Sequence, residues 1–191
     1  MSRLSHHLLA GALLTLSCTA VQGRDWLAGI FQSTKGVGIV LALDGAEREM
    51  DILTLRTDFY GVLSGRTEQL GACLQYTHDY VFSLRETPDC RLSLHAGAGG
   101  TAGFVHDFEN GFFSAYGRQL ERQPGWMAAL AGGAGLRADF RRRLTLDLSF
   151  SVAPGIHLRT DPATGALIVS LYKNGLYHCY MPQVKLLYRF R

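Results

Sequence analysis

The sequence predicts an all-β protein, an eight-stranded antiparallel transmembrane β-barrel, and three observations support this prediction. Apolar side chains recur at every second position over long segments, which is the period of a strand and not of a helix. The residues between them are rich in Gly, Ser, Thr and Ala with isolated charges, as in the lumen of a membrane barrel. Aromatic side chains gather near the strand ends, where membrane barrels carry two aromatic girdles.

The alternation defines the strands in turn. We expect strands at 26–33, 36–44, 50–63, 71–85, 91–105, 124–138, 143–157 and 179–190. The expected membrane-facing sets, in chain order, are Val37, Ile39, Leu41 and Leu43; Leu53, Leu55 and Phe59; Leu74, Tyr76, His78, Tyr80, Phe82 and Leu84; Leu92, Leu94, Ala96 and Ala98; Leu144, Leu146, Leu148, Phe150 and Val152; and Val184, Leu186, Tyr188 and Phe190. Most of these strands exceed the ~5–6 residues typical of soluble proteins.

The connections fix the number and direction of the strands. Short turns at 44–49, 86–90 and 139–142 fall at one end of the barrel, the turn end, and the long connections 106–123 and 158–178 fall at the other, the loop end. This alternation is typical of bacterial barrels with eight strands. The apolar stretch 166–172 is expected to add a strand at the loop-end rim. The expected girdles are Trp126, Phe104 and Phe59 at the loop end, and Phe82, Phe140, Tyr188 and Phe190 at the turn end.

The N-terminal residues 1–23 are interpreted as a cleaved secretory signal peptide. Arg3 precedes the apolar block 8–20, and small residues follow before Arg24, which is the order of a Sec-type signal. Cleavage is expected after Gly23, with Ala20 as the alternative, so residues 24–191 would form the barrel. Beyond this region no run of about 20 uncharged apolar residues predicts a membrane-spanning helix.

The composition and the cysteine content argue against several classes of protein. The chain has 191 residues, of which 47% are hydrophobic and 18% charged, and this is too apolar for a disordered protein. A net charge of +3 is no signature of nucleic-acid binding. Cys73, Cys90 and Cys179 lie in the mature chain, so an odd number precludes complete internal pairing. No Cys/His spacing predicts a metal, and no cofactor is expected.

The last strand carries the most specific family resemblance. It ends in Val-Lys-Leu-Leu-Tyr-Arg-Phe-Arg, and with the signal peptide and the eight strands it resembles the small outer-membrane β-barrels of the OmpA, OmpX and OmpW type. The strings at 25–29 and 174–177 are similar to small barrels of Bacteroidetes-type bacteria. The family pattern ends on the aromatic residue itself, whereas Arg191 follows Phe190 here.

This resemblance implies a bacterial outer-membrane location, with contacts to outer-membrane lipid and lipopolysaccharide. It also implies that the barrel-assembly machinery reads the terminal strand as an assembly signal. The residues expected to form this signal are Val184, Leu186, Tyr188 and Phe190.

Fold alone does not choose a function within this class. A structural or interaction role is the leading hypothesis, with outer loops contacting a partner protein, a glycan or lipopolysaccharide, or a larger outer-membrane complex. Aromatic residues mixed with arginine are typical of binding surfaces, and the candidates are Phe108, Phe112, Phe113, Tyr116 and Arg118. A narrow pore for small or hydrophobic solutes is the alternative, and a lipid-A-modifying enzyme is the third hypothesis.

Catalysis has one candidate constellation. Ser93, His95 and Asp79 fall on inward faces of neighbouring strands, and a hydrolase needs a serine, a histidine and a carboxylate in contact. Such a trio occurs by chance in most polar lumens, and Ser93 lies near the turn end. We therefore expect a protein that is not an enzyme.

The inward charges predict a plugged lumen. An eight-stranded barrel is just wide enough for its own side chains, and unpaired charges there would be costly. Counting residues across the hairpins predicts two charge clusters. They are Arg137–Asp147–Lys185 and Arg56–Asp79–His95.

Overall fold

The structure is a computed structural model, and it describes residues 25–33, 36–45, 48–57, 70–106, 124–141, 143–161, 163–172, 175–176 and 182–190. The strands in this part are β1 (Asp25–Ser33), β2 (Gly36–Asp44), β3 (Glu49–Thr57), β4 (Ala72–Glu86), β5 (Cys90–Val105), β6 (Gly125–Phe140), β7 (Leu144–Val152), β8 (Gly155–Thr160), β9 (Leu167–Leu171) and β10 (Gln183–Phe190). No helix among these residues is long and apolar enough to cross a membrane.

Eight of these strands close into an antiparallel barrel, which confirms the predicted fold class. Each of β1 to β7 pairs with its neighbour in sequence, and β10 lies between β7 and β1. Trp26 opposite Phe190 begins the closing pair at the turn end. Since every barrel strand has two partners, the barrel has no free edge.

The expected seventh strand is divided at Pro154. β7 and β8 follow the same register along β6, with Gly132 opposite Val152 and Ala129 opposite Gly155. Proline has no N–H to contribute to a ladder, so the strand is interrupted, although the Leu130 N–H still donates to the Pro154 carbonyl at 2.9 Å.

β9 lies where an additional rim strand was expected, and it pairs with β8 beyond the barrel wall. The remainders of the expected strands 3 and 8, at 58–63 and 179–181, lie outside the described residues.

The side chains alternate between a lipid-type exterior and a buried interior. On β7, Leu146 and Leu148 are 41% and 45% exposed, whereas Thr145 and Asp147 are almost completely buried. A soluble strand would bury its leucines and expose its aspartate. The reversed pattern is that of a barrel whose outer wall faces lipid.

Aromatic side chains occur at both ends of this outer wall. At the loop end, the rings of Trp126 and Phe104 are 5.4 Å apart, edge to face. At the turn end the exposed rings include Phe82, Phe140, Tyr188 and Phe190. Phe59, expected at the loop-end rim, lies outside the described residues.

One side of the interior is apolar, although a polar lumen was expected from the sequence. A hydrophobic cluster lines the inner faces of β1 to β3 with contributions from β4 and β10: Leu27, Phe31, Val40, Ala42, Met50, Ile52, Val81 and Leu187. These residues fill one side of the barrel, so most of the buried polar side chains lie on β4 to β7 and β10. Cys73 and Cys90 are free thiols, and Cys179 lies outside the described residues.

Candidate functional site in the barrel lumen

A chain of four charged residues crosses the middle of the lumen, and we call it the central cluster: Asp79, His95, Asp147 and Lys185. The Nδ1 atom of His95 hydrogen-bonds Oδ2 of Asp79 at 2.8 Å, and its Nε2 lies 2.8 Å from Oδ2 of Asp147. The second contact is within the distance of an ion pair but lacks hydrogen-bond alignment. Lys185 Nζ donates to Asp147 Oδ1 at 3.3 Å and to Ser149 Oγ at 3.2 Å. The cluster therefore joins β4, β5, β7 and β10.

Two glycines make room for this cluster. A Cβ atom at Gly135 would lie 2.5 Å from the His95 Nε2 atom, and one at Gly97 would overlap the Asp79 carboxylate. Neither side chain can shift freely, because both are buried and paired. The glycines on β5 and β6 are thus part of the site, since they allow the charged groups to lie against the wall.

The two clusters expected from the sequence are partly wrong. Asp79 and His95 do meet, and so do Asp147 and Lys185, but all four form one chain. Arg56 lies opposite Cys73, while Asp79 lies opposite Met50. Six residues of β3 separate these positions, roughly 20 Å at ~3.3 Å per residue. Arg56 therefore cannot join Asp79, because β3 and β4 pair in a different register from the one that the loop length suggested.

Arg137 belongs to a second group at the turn end, the mouth cluster: Asp25, Asp44, Arg137, Asp139 and Arg189. Although Arg137 is the backbone partner of Asp147, its guanidinium pairs with Asp139 at 3.0 Å and with Asp44 at 3.3 Å. Arg189 contacts Asp25 at 2.7 Å and Asp44 at 2.6 Å. Asp44 is shared by both arginines, and this links the strands at the barrel mouth.

The predicted Arg137–Asp147 pair is therefore wrong, for a physical reason. The Asp147 carboxylate is already held by His95 and Lys185. The long arginine side chain instead reaches toward the turn end, where two further carboxylates accept its planar donors.

An apolar layer lies in the lumen toward the loop end. Cys73, Val105, Met127 and Tyr172 pack together and are buried. Tyr172 follows β9, and its ring lies edge to face against the buried His157 at 5.9 Å. The segment that leaves the outer hairpin thus inserts a ring into the barrel.

Two cavities border the described residues of these clusters. Between the central cluster and β6 lies a void of about 20 Å³, lined in part by Thr77, Asp79, His95 and Lys185, which is room for about one water molecule. A larger cavity of about 350 Å³ opens at the turn end outside the mouth cluster, lined by Asp25, Asp44, Glu86, Asp89 and Asp139 together with Arg91 and Arg189.

The catalytic candidate does not assemble. Ser93 is completely buried, and its hydroxyl donates to the Arg137 carbonyl at 3.5 Å. His95 contacts two carboxylates and not Ser93, so the serine has no general base. In the described part of the chain, no group of three or more His, Cys, Asp and Glu residues could hold a metal ion.

The predicted assembly-signal residues lie on the outer wall, whereas the predicted binding residues lie in segments that the structure does not describe. Val184, Leu186, Tyr188 and Phe190 all point outward on β10 and are exposed. The binding candidates Phe108, Phe112, Phe113, Tyr116 and Arg118 lie outside the described residues.

Two solved structures are similar to this chain. The N-terminal β-barrel domain of Pseudomonas aeruginosa OprF superposes with a TM-score of 0.51 at 12% identity, covering 88% of this chain and 98% of that chain. A major outer membrane protein from Thermus thermophilus superposes with a TM-score of 0.43 at 14% identity, covering 87% of this chain and 99% of that one. No protein-family model matches the sequence, and neither does any curated protein. The chain has the fold of the small outer-membrane β-barrels that its sequence resembles.

Proposed function

We propose that the protein is an integral β-barrel of the bacterial outer membrane that has a structural or interaction role and does not conduct solutes. The filled lumen is the observation that carries this proposal. The central cluster, the mouth cluster and the apolar layer succeed one another along the barrel axis, and the void beside His95 holds only about one water. Permeation would require breaking buried ion pairs, which is costly.

The orientation follows from the connections. Residues 1–23 serve as the export signal, the turn end faces the periplasm, and the loop end faces outward. The outer loop that contains Phe108, Phe112, Phe113, Tyr116 and Arg118 contacts a partner protein, a glycan or lipopolysaccharide. The outward face of β10 is the signal for the assembly machinery, and its exposure on the closed barrel supports this role.

A narrow pore is the second candidate, and the cavity at the turn end favours it. That cavity of about 350 Å³ is open to the periplasmic side, and its lining includes five carboxylates and two arginines, so it would attract cations. Arg137 lies beyond it, 1% exposed and paired with Asp44 and Asp139. Conduction would need this arginine to move. A lipid-A-modifying activity is the third candidate, and the separation of Ser93 from His95 does not favour it.

Fractionation and liposome swelling test the proposal. We expect the full-length protein in the outer-membrane fraction, with migration on mildly denaturing gels that changes on heating. Liposomes that contain the folded protein should swell no faster in small sugars than protein-free liposomes. Recovery of the full-length protein in the soluble periplasmic fraction would overturn the membrane location. Rapid swelling of the protein-containing liposomes would favour the pore over the structural role.

A further inference from the structure

A polar cluster lies on the outer wall of the barrel, among side chains that face lipid. It consists of Glu49 and Asp51 on β3 and Tyr76, His78 and Tyr80 on β4. Asp51 Oδ1 accepts a hydrogen bond from the Tyr76 hydroxyl at 2.8 Å and lies 2.8 Å from His78 Nδ1. His78 Nε2 is 3.9 Å from Glu49 Oε2, and its ring meets that of Tyr80 edge to face at 5.2 Å.

The depth of this outer polar cluster is unusual. His78 is four residues from Phe82, an exposed ring of the turn-end girdle. Tyr80, which lies opposite Glu49, is two residues from Phe82. At ~3.3 Å per residue and a tilt of about 40°, the cluster therefore begins roughly 5 Å above that girdle, and His78 lies roughly 10 Å above it. Ionisable side chains at such a depth in a membrane are costly and usually mark a functional site.

A shallow groove adjoins the outer polar cluster. Its floor consists of small outward residues on β5 and β6: Ala96, Ala98, Gly100, Gly132 and Ala134. The registers place Tyr80 beside Ala96 and His78 beside Ala98, and on the far side they place Phe150 beside Ala134. The groove is therefore two strands wide at Ala98 and Gly132, and His78, Tyr80 and Phe150 border it. Toward the loop end it narrows to β5, because the exposed Leu130 lies opposite Gly100 on β6.

Barrel packing does not require the two glycines of the groove floor. A Cβ atom at Gly100 would lie 3.7 Å from its nearest neighbour, and one at Gly132 would lie 3.8 Å away, which are ordinary contacts. At the inward Gly133, by contrast, a Cβ atom would lie 2.6 Å from the Phe150 carbonyl oxygen. Larger residues would fit at the outward positions, and their absence keeps the groove open.

We infer that this face binds one phospholipid of the leaflet at the turn end, with a primary ammonium headgroup on Glu49, Asp51 and His78 and an acyl chain in the groove. An ammonium group offers three donors to the carboxylates, and aromatic rings favour a cation beside them. The apolar floor of the groove contacts the acyl chain as this extends toward the membrane centre.

A second copy of this chain does not complement the outer polar cluster. The described strands carry no outward Lys or Arg between the two girdles, so a copy would bring no cation to the carboxylates. The inference rests on the proposed membrane insertion, and insertion is measured separately in its test.

Lipid retention tests this inference. The full chain is reconstituted in phosphatidylcholine vesicles that contain phosphatidylethanolamine, extracted gently, and examined by native mass spectrometry. We expect the wild type to retain phosphatidylethanolamine in preference to phosphatidylcholine. Gly132→Leu should lower this retention because it fills the groove. The double variant Glu49→Gln/Asp51→Asn should lower it roughly tenfold, the loss expected for about one charge-assisted contact.

Matched controls isolate the site. Asp89→Asn neutralises an exposed carboxylate in the β4–β5 turn, and Leu146→Phe adds bulk on the lipid-facing wall of β7; both should retain lipid as the wild type does. Equal retention of the two lipids, or equal retention by all variants, overturns the inference. A dimer that Gly132→Leu dissociates, with no lipid retained, overturns it in favour of an interface between copies. Heat-modifiable migration of every variant shows insertion, so failure to insert would count against the proposed function instead.

Discussion

His95 and Asp147 meet across the barrel lumen, with 2.8 Å between Nε2 and Oδ2, although β6 separates their strands. The contact passes over Gly135, where β6 presents no side chain to keep them apart. It joins the Asp79–His95 pair to the Asp147–Lys185 pair. A barrel wall made of neighbouring hairpins is thereby tied together through its interior.

Asp147→Asn should destabilise the barrel strongly. The substitution leaves His95 and Lys185 without their shared carboxylate, and removing one partner of a buried ion pair typically costs about 3–5 kcal/mol. Urea unfolding in vesicles, followed by the gel shift, measures this cost. The double variant Asp147→Asn/Lys185→Met should recover part of the loss, because the unpaired ammonium is removed. Wild-type stability of Asp147→Asn would show that the central cluster contributes nothing.

Gly135→Ala should destabilise the barrel, whereas Gly132→Ala should not. The new methyl group at position 135 would press on the His95 ring and on Ser149, while the one at position 132 meets only ordinary contacts. Overpacking of this kind costs about 1–3 kcal/mol. The same unfolding measurement compares the two variants, and equal effects would contradict the assigned role of the inward glycine.

Leu148→Arg should cost about 2–4 kcal/mol if this outward position lies near the bilayer midplane. The control is Leu148→Phe, which keeps the position apolar and should be nearly neutral. Folding into vesicles measures both free energies. If arginine were tolerated as well as phenylalanine, the exposed face of β7 would face water and not lipid.

Asp161 should make the outer β8–β9 hairpin sensitive to acid. Hydrogen bonds from the Ala163 N–H, and then from Thr164, lower the pKa of this exposed carboxyl below its ordinary value of 3.8. Because the pKa is lowered in the folded state, the ionised carboxylate stabilises the turn at pH values above the ordinary pKa. This stabilisation is lost as the pH falls through the folded pKa.

The amide shift of Ala163, followed by NMR in micelles, reports this titration. In Asp161→Asn the amide oxygen still accepts the hydrogen bond but does not titrate, so the pH dependence should vanish. An unchanged titration in this variant would assign it to another group.

The period of two predicted most of the barrel wall. Alternation depends only on local sequence, so the outward Leu146 and Leu148 and the inward Asp147 could be assigned without knowing any contact. The Asp147–Lys185 pair followed from pairing the expected seventh strand with the last strand, and the structure places these two residues directly opposite each other. The interruption at Pro154 could also have been read from the missing N–H.

Contacts that depend on register or side-chain reach could not be predicted. Arg56 was placed near Asp79 because the length of the intervening connection does not fix where β3 and β4 pair. Arg137 lies opposite Asp147 but bends toward Asp139. The sequence does not show that His95 and Lys185 already occupy the Asp147 carboxylate. The outer polar cluster had one overlooked signal, since Asp51 shares the face of Leu53 and Leu55 in a strand expected to face lipid.

The electrical conductance of the protein in a planar bilayer tests the central claim, that side chains close the lumen. Folded wild-type protein, whose insertion is verified by the gel shift, should give no steady single-channel current, because Arg137, the central cluster and Tyr172 block the axis in succession. Reproducible current steps from the wild type would contradict the account directly.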